Sequence, residues 1–136
     1  LSLVQGIKEN LIDVIVSDHI PEDEESKRLP FSQAATGAIG IETLLPLALE
    51  MHHNESLPLN KIIETLTINP AKILQINKGT LAKGSDGDIC VLDLDAPWVV
   101  EAEKLKSKSK NTAIEGRKLQ GKILMTFLNG ELVFNQ

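Results

Sequence analysis

Leu11–Pro21 reads LIDVIVSDHIP. Leu11–Val16 is an apolar, β-branched run broken only by Asp13, and it stops at Ser17-Asp18-His19. A short apolar run without alternation, closed by a turn signal, is what a parallel strand covered on both faces looks like. A carboxylate at the C-terminal end of such a strand, entering a long loop, sits where α/β barrels place catalytic groups. Asp18 is therefore a candidate catalytic residue by position, although a strand-end Asp also orders turns. His19, taken alone, reads as structural.

Outward from this stretch, residues 3–9 fit a short helix. Pro21 and the acidic run Glu22–Glu25 predict a solvated loop that continues to about Gly40, long enough to carry function. A helix is predicted over 41–53, with Pro46 tolerable only near its first turn, and a second over 59–68. Asn69-Pro70 reads as an N-cap followed by Pro at the first helical position, starting a third helix that runs to about Ile76. From Gly79 the grammar changes: Gly79, Gly84 and Gly87 punctuate the chain, and strands are predicted over 88–94, 98–100, 122–128 and 131–134. Asn129-Gly130 between the last two is a two-residue hairpin signal. A βα segment thus meets a β-rich segment near residue 79.

The chain has 136 residues and begins on Leu1 already in a helix-like pattern, so it is expected to be a piece of a longer protein. Apolar content of 42% and charged content of 24% are ordinary for a soluble globular domain. Runs such as Val14–Val16 and Ile123–Met125 are far too short to span a bilayer, and residues 1–7 lack the basic and apolar regions of a signal peptide. With Cys90 as its one cysteine the chain forms no internal disulfide, and a cytoplasmic location is the expectation. Residues 1–70 carry 11 acidic and 4 basic side chains, and residues 71–136 carry 8 and 10. Neither half has the basic excess of a nucleic-acid binder, and the net charge is −5. Lys104, Lys106, Lys108 and Lys110 alternate without aromatics and read as a solvated loop rather than an RNA site. Cys90 is expected to be a core thiol, Trp98 to lie against the β layer, and His52-His53 to complement a helix C-terminus. Asp86 and Asp88 suit turn formation better than a cation loop.

The ordered set of motifs carries more than any one of them. IDVIVSDHIP (12–21) resembles the last barrel strand of dihydroorotases, which runs close to ID-x-IATDHAPH. PFSQAATGAIGIETLLP (30–46) resembles the following loop and helix, and TINPAKILQINKGTL (67–81) resembles S-x-NPA-x-ILG…KG-x-L. Gly84–Leu94 resembles the wider superfamily's G-x-DADLVV-x-D, Ser107–Gly116 (SKSKNTAIEG) resembles SKGRNTPFxG, and 121–134 resembles the closing hairpin. Dihydropyrimidinases and allantoinases share the SDH-x-P core; GIETLLP and SKSKNTAIEG favour dihydroorotase.

The resemblance implies an α/β fold. Residues 1–78 would be the C-terminal end of a metal-dependent (β/α)8 TIM barrel, strand eight with its following helices. Residues 79–136 would be part of a small β-sandwich. It implies a cyclic amide hydrolase that reversibly closes N-carbamoyl-L-aspartate to L-dihydroorotate in pyrimidine synthesis, with this segment inactive alone. Asp18 would be both a metal ligand and the proton shuttle, with one or two zinc ions held mostly by residues outside this chain. Zinc lowers the pKa of its bound water toward about 7, which makes it a nucleophile. Glu22, Thr36 and Gly37 would lie at the substrate. Glu22 stands where the family has a substrate-binding His, Thr36 replaces a Phe, and Ala113 replaces a Pro. The implied partners are the rest of the barrel, further copies of the protein in a homo-oligomer and, as an alternative, aspartate transcarbamoylase. The last would fit an inactive scaffold, the alternative to an enzyme. Neither nucleic acid nor membrane is an expected partner.

Overall fold

The computed structural model describes residues 2–136. The chain is α/β, with helices up to Ile73 and an antiparallel sheet from Ile89 onward. The helices are α1 (Ser2–Lys8), α2 (Glu24–Lys27), α3 (Leu44–His53), α4 (Leu59–Leu66) and α5 (Ile68–Ile73). The strands are β1 (Ile89–Val99), β2 (Lys118–Leu128) and β3 (Glu131–Asn135), in the order β1-β2-β3. The two predicted runs 88–94 and 98–100 are one long strand, bent where the β1–β2 register shifts between Asp93 and Pro97. Asn129 (φ 51°) and Gly130 (φ 82°) make the expected hairpin between β2 and β3, in the two-residue left-handed form that matches strand twist.

Three helices stop by one device. After α1, α3 and α5 a non-glycine residue takes a left-handed conformation: Asn10 (φ 57°), Glu55 (φ 56°) and Gln75 (φ 56°). In each case its N–H and the next one bond back to the final turn. Leu11 N–H donates to Gly6 O (2.8 Å), Ser56 N–H to Met51 O (2.9 Å), and Ile76 N–H to Ala71 O (3.0 Å). These Schellman closures satisfy carbonyls that would otherwise be orphaned. They also explain why α5 ends at Ile73 rather than near Ile76. Its start differs from expectation too: Thr67 is the N-cap, and Pro70 occupies the third helical position, still within the turn whose N–H groups need no intrahelical acceptor.

Two apolar clusters form the core, and α3 contributes to both. Ile7, Ala48, Leu57 and Ile62 form one, with Ile12 and Ile15 against it. Ile39, Val100, Leu105 and Leu119 form the other, with Leu47 and Trp98 against it. A helix reading LLPLALEMHH has apolar residues around most of its circumference, which suits burial from two sides. Leu49 is fully buried, and its Cδ1 lies where a Cβ on Gly121 of β2 would come within 2.6 Å. Trp98 of β1 donates its indole N–H to Gly121 O (3.1 Å), so Trp98 joins the β layer as expected. Arg117 reaches Glu50 of α3 at 2.7 Å.

Several expectations meet a different outcome. Residues 11–18 are extended but form no strand, and Leu11 and Val16 are 74% and 71% exposed. A parallel strand exists only through neighbours on either side. Here the segment bonds only to helix ends, Leu11 and Ile12 N–H to Gly6 O and Ile15 N–H to Thr65 O (3.2 Å), and a parallel bridge follows it at His19 and Ala38. The acidic run is exposed but ordered: Asp23 caps α2, its carboxylate accepting Ser26 N–H at 2.7 Å. That bond, the largest cause, holds the Asp23 carboxyl below its ordinary value. Cys90 is exposed rather than buried, because the N-terminal half of β1 is uncovered among the described residues. The 79–88 loop is clamped through Lys78, which pairs with Asp86 (2.7 Å) and Asp88 (2.6 Å), while Asp88 also accepts Asn129 N–H at 2.9 Å. The bond from Asn129 and then the Lys78 ammonium keep the Asp88 carboxyl below its ordinary value.

The helix–sheet seam gives a direct prediction. Gly121→Ala, at φ 105° and against Leu49, should lower unfolding free energy by about 2–4 kcal/mol through combined backbone strain and overpacking. Gly116→Ala has a comparable φ of 74° but open space around it, and should cost about 1 kcal/mol. Denaturant midpoints of the two variants, compared with the parent protein, check the difference.

Candidate functional site

The extended segment 11–18 ends at the candidate carboxylate. Asp18 adopts φ 45°, a left-handed conformation that Asp tolerates better than most residues, and the chain turns there into 19–22. The turn is fixed by His19, whose Nδ1 accepts the N–H groups of Gly40 (3.1 Å) and Ile41 (3.3 Å). A nitrogen that accepts two N–H bonds carries no proton, so His19 is the tautomer protonated on Nε2. Its role here is structural, as its sequence context suggests. Gly40 is needed beneath it, since a Cβ there would lie 2.7 Å from Ser17 O.

Opposite Asp18 lies the loop that returns from α2. Ile20 N–H donates to Ala38 O (3.0 Å), laying residues 37–39 alongside 18–20. Between them opens a hollow of about 450 Å3 whose lining includes Val16, Asp18, Gly37, Gly40, Thr43 and Ala113. Asp18 and Gly37, separated by nineteen positions, therefore share one cavity. Glu22 and Thr36 do not line it: Thr36 is exposed, and Glu22 is half-buried beside it. What holds Glu22 is its main chain. Its N–H reaches Asn111 Oδ1 at 3.4 Å, and its carbonyl accepts the Ser109 hydroxyl at 2.5 Å.

Four residues that the sequence reading did not single out shape this region. Asn111 Nδ2 donates to Gly37 O (3.2 Å), and Lys27 Nζ donates to Ala35 O (2.7 Å) and Gly37 O (3.0 Å). Ser109 adds its bond to Glu22, and the Glu42 carboxylate accepts the N–H groups of Lys106 (2.9 Å) and Ser107 (3.1 Å). The lysine-alternating stretch is thus a strap fastened across the loop by backbone and amide bonds. The available signal was the SKSKNTAIEG segment, whose Asn and Ser sit in a stretch with no periodicity of its own.

Among the described residues no group of three or more His, Cys, Asp or Glu could hold a metal ion. Asp18 offers one carboxylate where catalytic zinc takes three protein ligands, so a zinc site does not fit these residues by themselves. His52 and His53 end α3 with ring centroids 5.7 Å apart.

Comparison with known proteins places this geometry. The Amidohydrolase family model matches residues 2–133. The dihydroorotase of Ehrlichia chaffeensis is 42% identical over 134 residues, 98% of this chain and 30% of that protein. The dihydroorotase of Ehrlichia canis is 40% identical over the same length and shares. The solved structure of L-hydantoinase (dihydropyrimidinase) from Arthrobacter aurescens superposes with a TM-score of 0.90 at 33% identity, covering 98% of this chain and 31% of that one. The chain thus spans about 30% of the length of the curated relatives it matches. No described helix is long and apolar enough to cross a membrane. A family match over nearly every residue, with dihydroorotases at about 40% identity along the same stretch, establishes that this chain belongs to the amidohydrolase family.

Proposed function

We propose that the chain supplies the C-terminal part of a dihydroorotase, an enzyme that reversibly closes N-carbamoyl-L-aspartate to L-dihydroorotate in pyrimidine synthesis. Residues 1–78 would belong to the (β/α)8 barrel and residues 79–136 to the small β-sandwich. The observation that carries the reading is the shared hollow: the Asp18 carboxylate and the Gly37 main chain, both site residues of the dihydroorotase pattern, line one cavity. Asp18 takes the proton from the attacking water and returns it to the ring nitrogen as the amide bond breaks, and the reverse on ring closure. Asp18 would hold a zinc ion together with ligands from outside this chain, and such an ion would supply a water acidic enough to attack near neutral pH. Glycine at 37 lets the main chain approach the substrate ring closely, with Thr36 and Glu22 outside the hollow that holds it.

Two other readings each rest on one observation. Likeness to an L-hydantoinase (dihydropyrimidinase) structure favours a cyclic amidase acting on rings without a carboxylate. Glu22, standing where dihydroorotases carry a His, favours a non-catalytic homologue that scaffolds aspartate transcarbamoylase. Assay of the full-length protein separates the three. Dihydroorotate turned over in preference to dihydrouracil and hydantoin supports the proposal, preference for the uncharged rings supports the second reading, and no turnover of any of them supports the third.

Two substitutions in the full-length enzyme probe the roles. Asp18→Asn keeps the side-chain shape and the left-handed backbone while removing the base, and should lower kcat by about a hundredfold to ten-thousandfold without changing the circular dichroism spectrum. Glu22→His tests where that carboxylate points. An inward Glu22 about 4 Å from the substrate carboxylate would repel it by roughly 4 kcal/mol at an effective dielectric near 20. With its main chain tied to the strap and its side chain outside the hollow, Glu22 faces water, and KM should change by less than about tenfold. A gain of about a hundredfold in kcat/KM would reverse that assignment.

A further inference from the structure

The side-chain amide of Asn111 joins three segments at once. It donates through Nδ2 to Gly37 O, and through Oδ1 it accepts Glu22 N–H, beside the Ser109 hydroxyl that donates to Glu22 O. Its own carbonyl accepts Ile39 N–H at 3.2 Å, so residues 111–112 run beside residue 39. The amide orientation is forced, because Gly37 O can only accept and Glu22 N–H can only donate. No other side chain of this size presents one donor and one acceptor in a single plane. Aspartate, the closest in shape, keeps the acceptor and loses the donor.

The consequence falls on Gly37. Its carbonyl is taken by two donors, Asn111 Nδ2 and Lys27 Nζ, whereas its N–H finds no acceptor among the described residues. Gly37 has φ 129° and no Cβ, so the Thr36–Gly37 peptide that carries its N–H turns freely unless the backbone on either side is held. Lys27 Nζ holds the carbonyls on both sides of that peptide, Ala35 O and Gly37 O, and Asn111 Nδ2 holds the second, which leaves the Gly37 N–H between them as the group available to a ligand oxygen in the hollow. We propose that Asn111 is a positioning residue for substrate binding, acting through the Gly37 peptide. This rests on the reading that Gly37 meets the substrate. An N–H held in place before the ligand arrives strengthens binding to substrate and transition state alike, so its effect falls on KM.

The test uses the full-length enzyme with Asn111→Asp and Asn111→Ala. Steady-state kinetics with dihydroorotate are measured beside amide hydrogen exchange of peptides covering 20–22 and 36–40. KM should rise about threefold to tenfold in Asn111→Asp, the scale of one neutral hydrogen bond, with kcat within about twofold. Exchange should quicken in those two peptides and not elsewhere. A fall in kcat at unchanged KM, or unaltered kinetics, overturns the proposal. Should Asn111→Ala fail to fold, the near-isosteric Asn111→Asp decides alone. If the parent enzyme turns over no dihydroorotate, the functional reading fails, and exchange then decides the positioning role: faster exchange at 36–40 upholds it, and unchanged exchange overturns it.

Discussion

The close approach of α3 to β2 at Leu49 and Gly121 is the contact on which the rest of the structure depends. There the helix meets the strand at a glycine, with no side-chain bulk on the strand between them. With Gly121 bare, Leu49 can be fully buried, and Leu47 and Ala48 on neighbouring faces can enter different apolar clusters. Trp98 and Arg117 then lock the seam from either side, one through the Gly121 carbonyl and one through Glu50. A fully buried leucine contributes about 1.5–3 kcal/mol by transfer alone, far more than the half-exposed ion pair beside it.

The site depends on this seam at one remove. Once α3 is seated, its N-terminal approach, residues 39–43, is held over His19, and the Glu42 carboxylate can catch the 106–107 backbone. That bond directs the strap toward the Asp18 hollow, where Ser109 and Asn111 take hold of Glu22 and Gly37. Every link in this series is a polar group on a main-chain partner, the kind of bond that fixes position with little net gain in stability. Apolar burial thus sets the layers, and directional bonds set the site within them.

The elements with strong local signals were legible in the sequence. The helix at 41–53, the Asn129-Gly130 hairpin and the place of Asp18 at the end of an extended run all follow from pattern. What sequence could not supply was context. Residues 11–16 carry the composition of a covered strand, but cover comes from neighbours, and the described residues cover Ile12 and Ile15 while leaving Leu11 and Val16 exposed. The helix ends at Asn10, Glu55 and Gln75 were hidden because a left-handed closing residue is usually looked for as glycine. Asp18 was a candidate by its position and by likeness to a family, Gly37 by that likeness alone. The bonds of Asn111 escaped because a side chain reaching across 74 or 89 positions leaves no periodic trace, and those of Lys27 because they run to main-chain carbonyls of an irregular loop.

Those long spans have a bearing on how the molecule is made. The hollow is bounded by residues from 15 to 114, and the strap that closes it lies far downstream of the carboxylate it stands beside. Contacts between distant positions form late, since the chain between them must first be brought together at an entropic cost. During synthesis Asp18 emerges with its loop fastened only by the local bonds of Lys27, and the second hold on the Gly37 carbonyl waits until residue 111 has left the ribosome and α3 has met β2. The cavity is therefore among the last features to take shape, and the order of assembly keeps an incomplete chain from presenting a finished pocket.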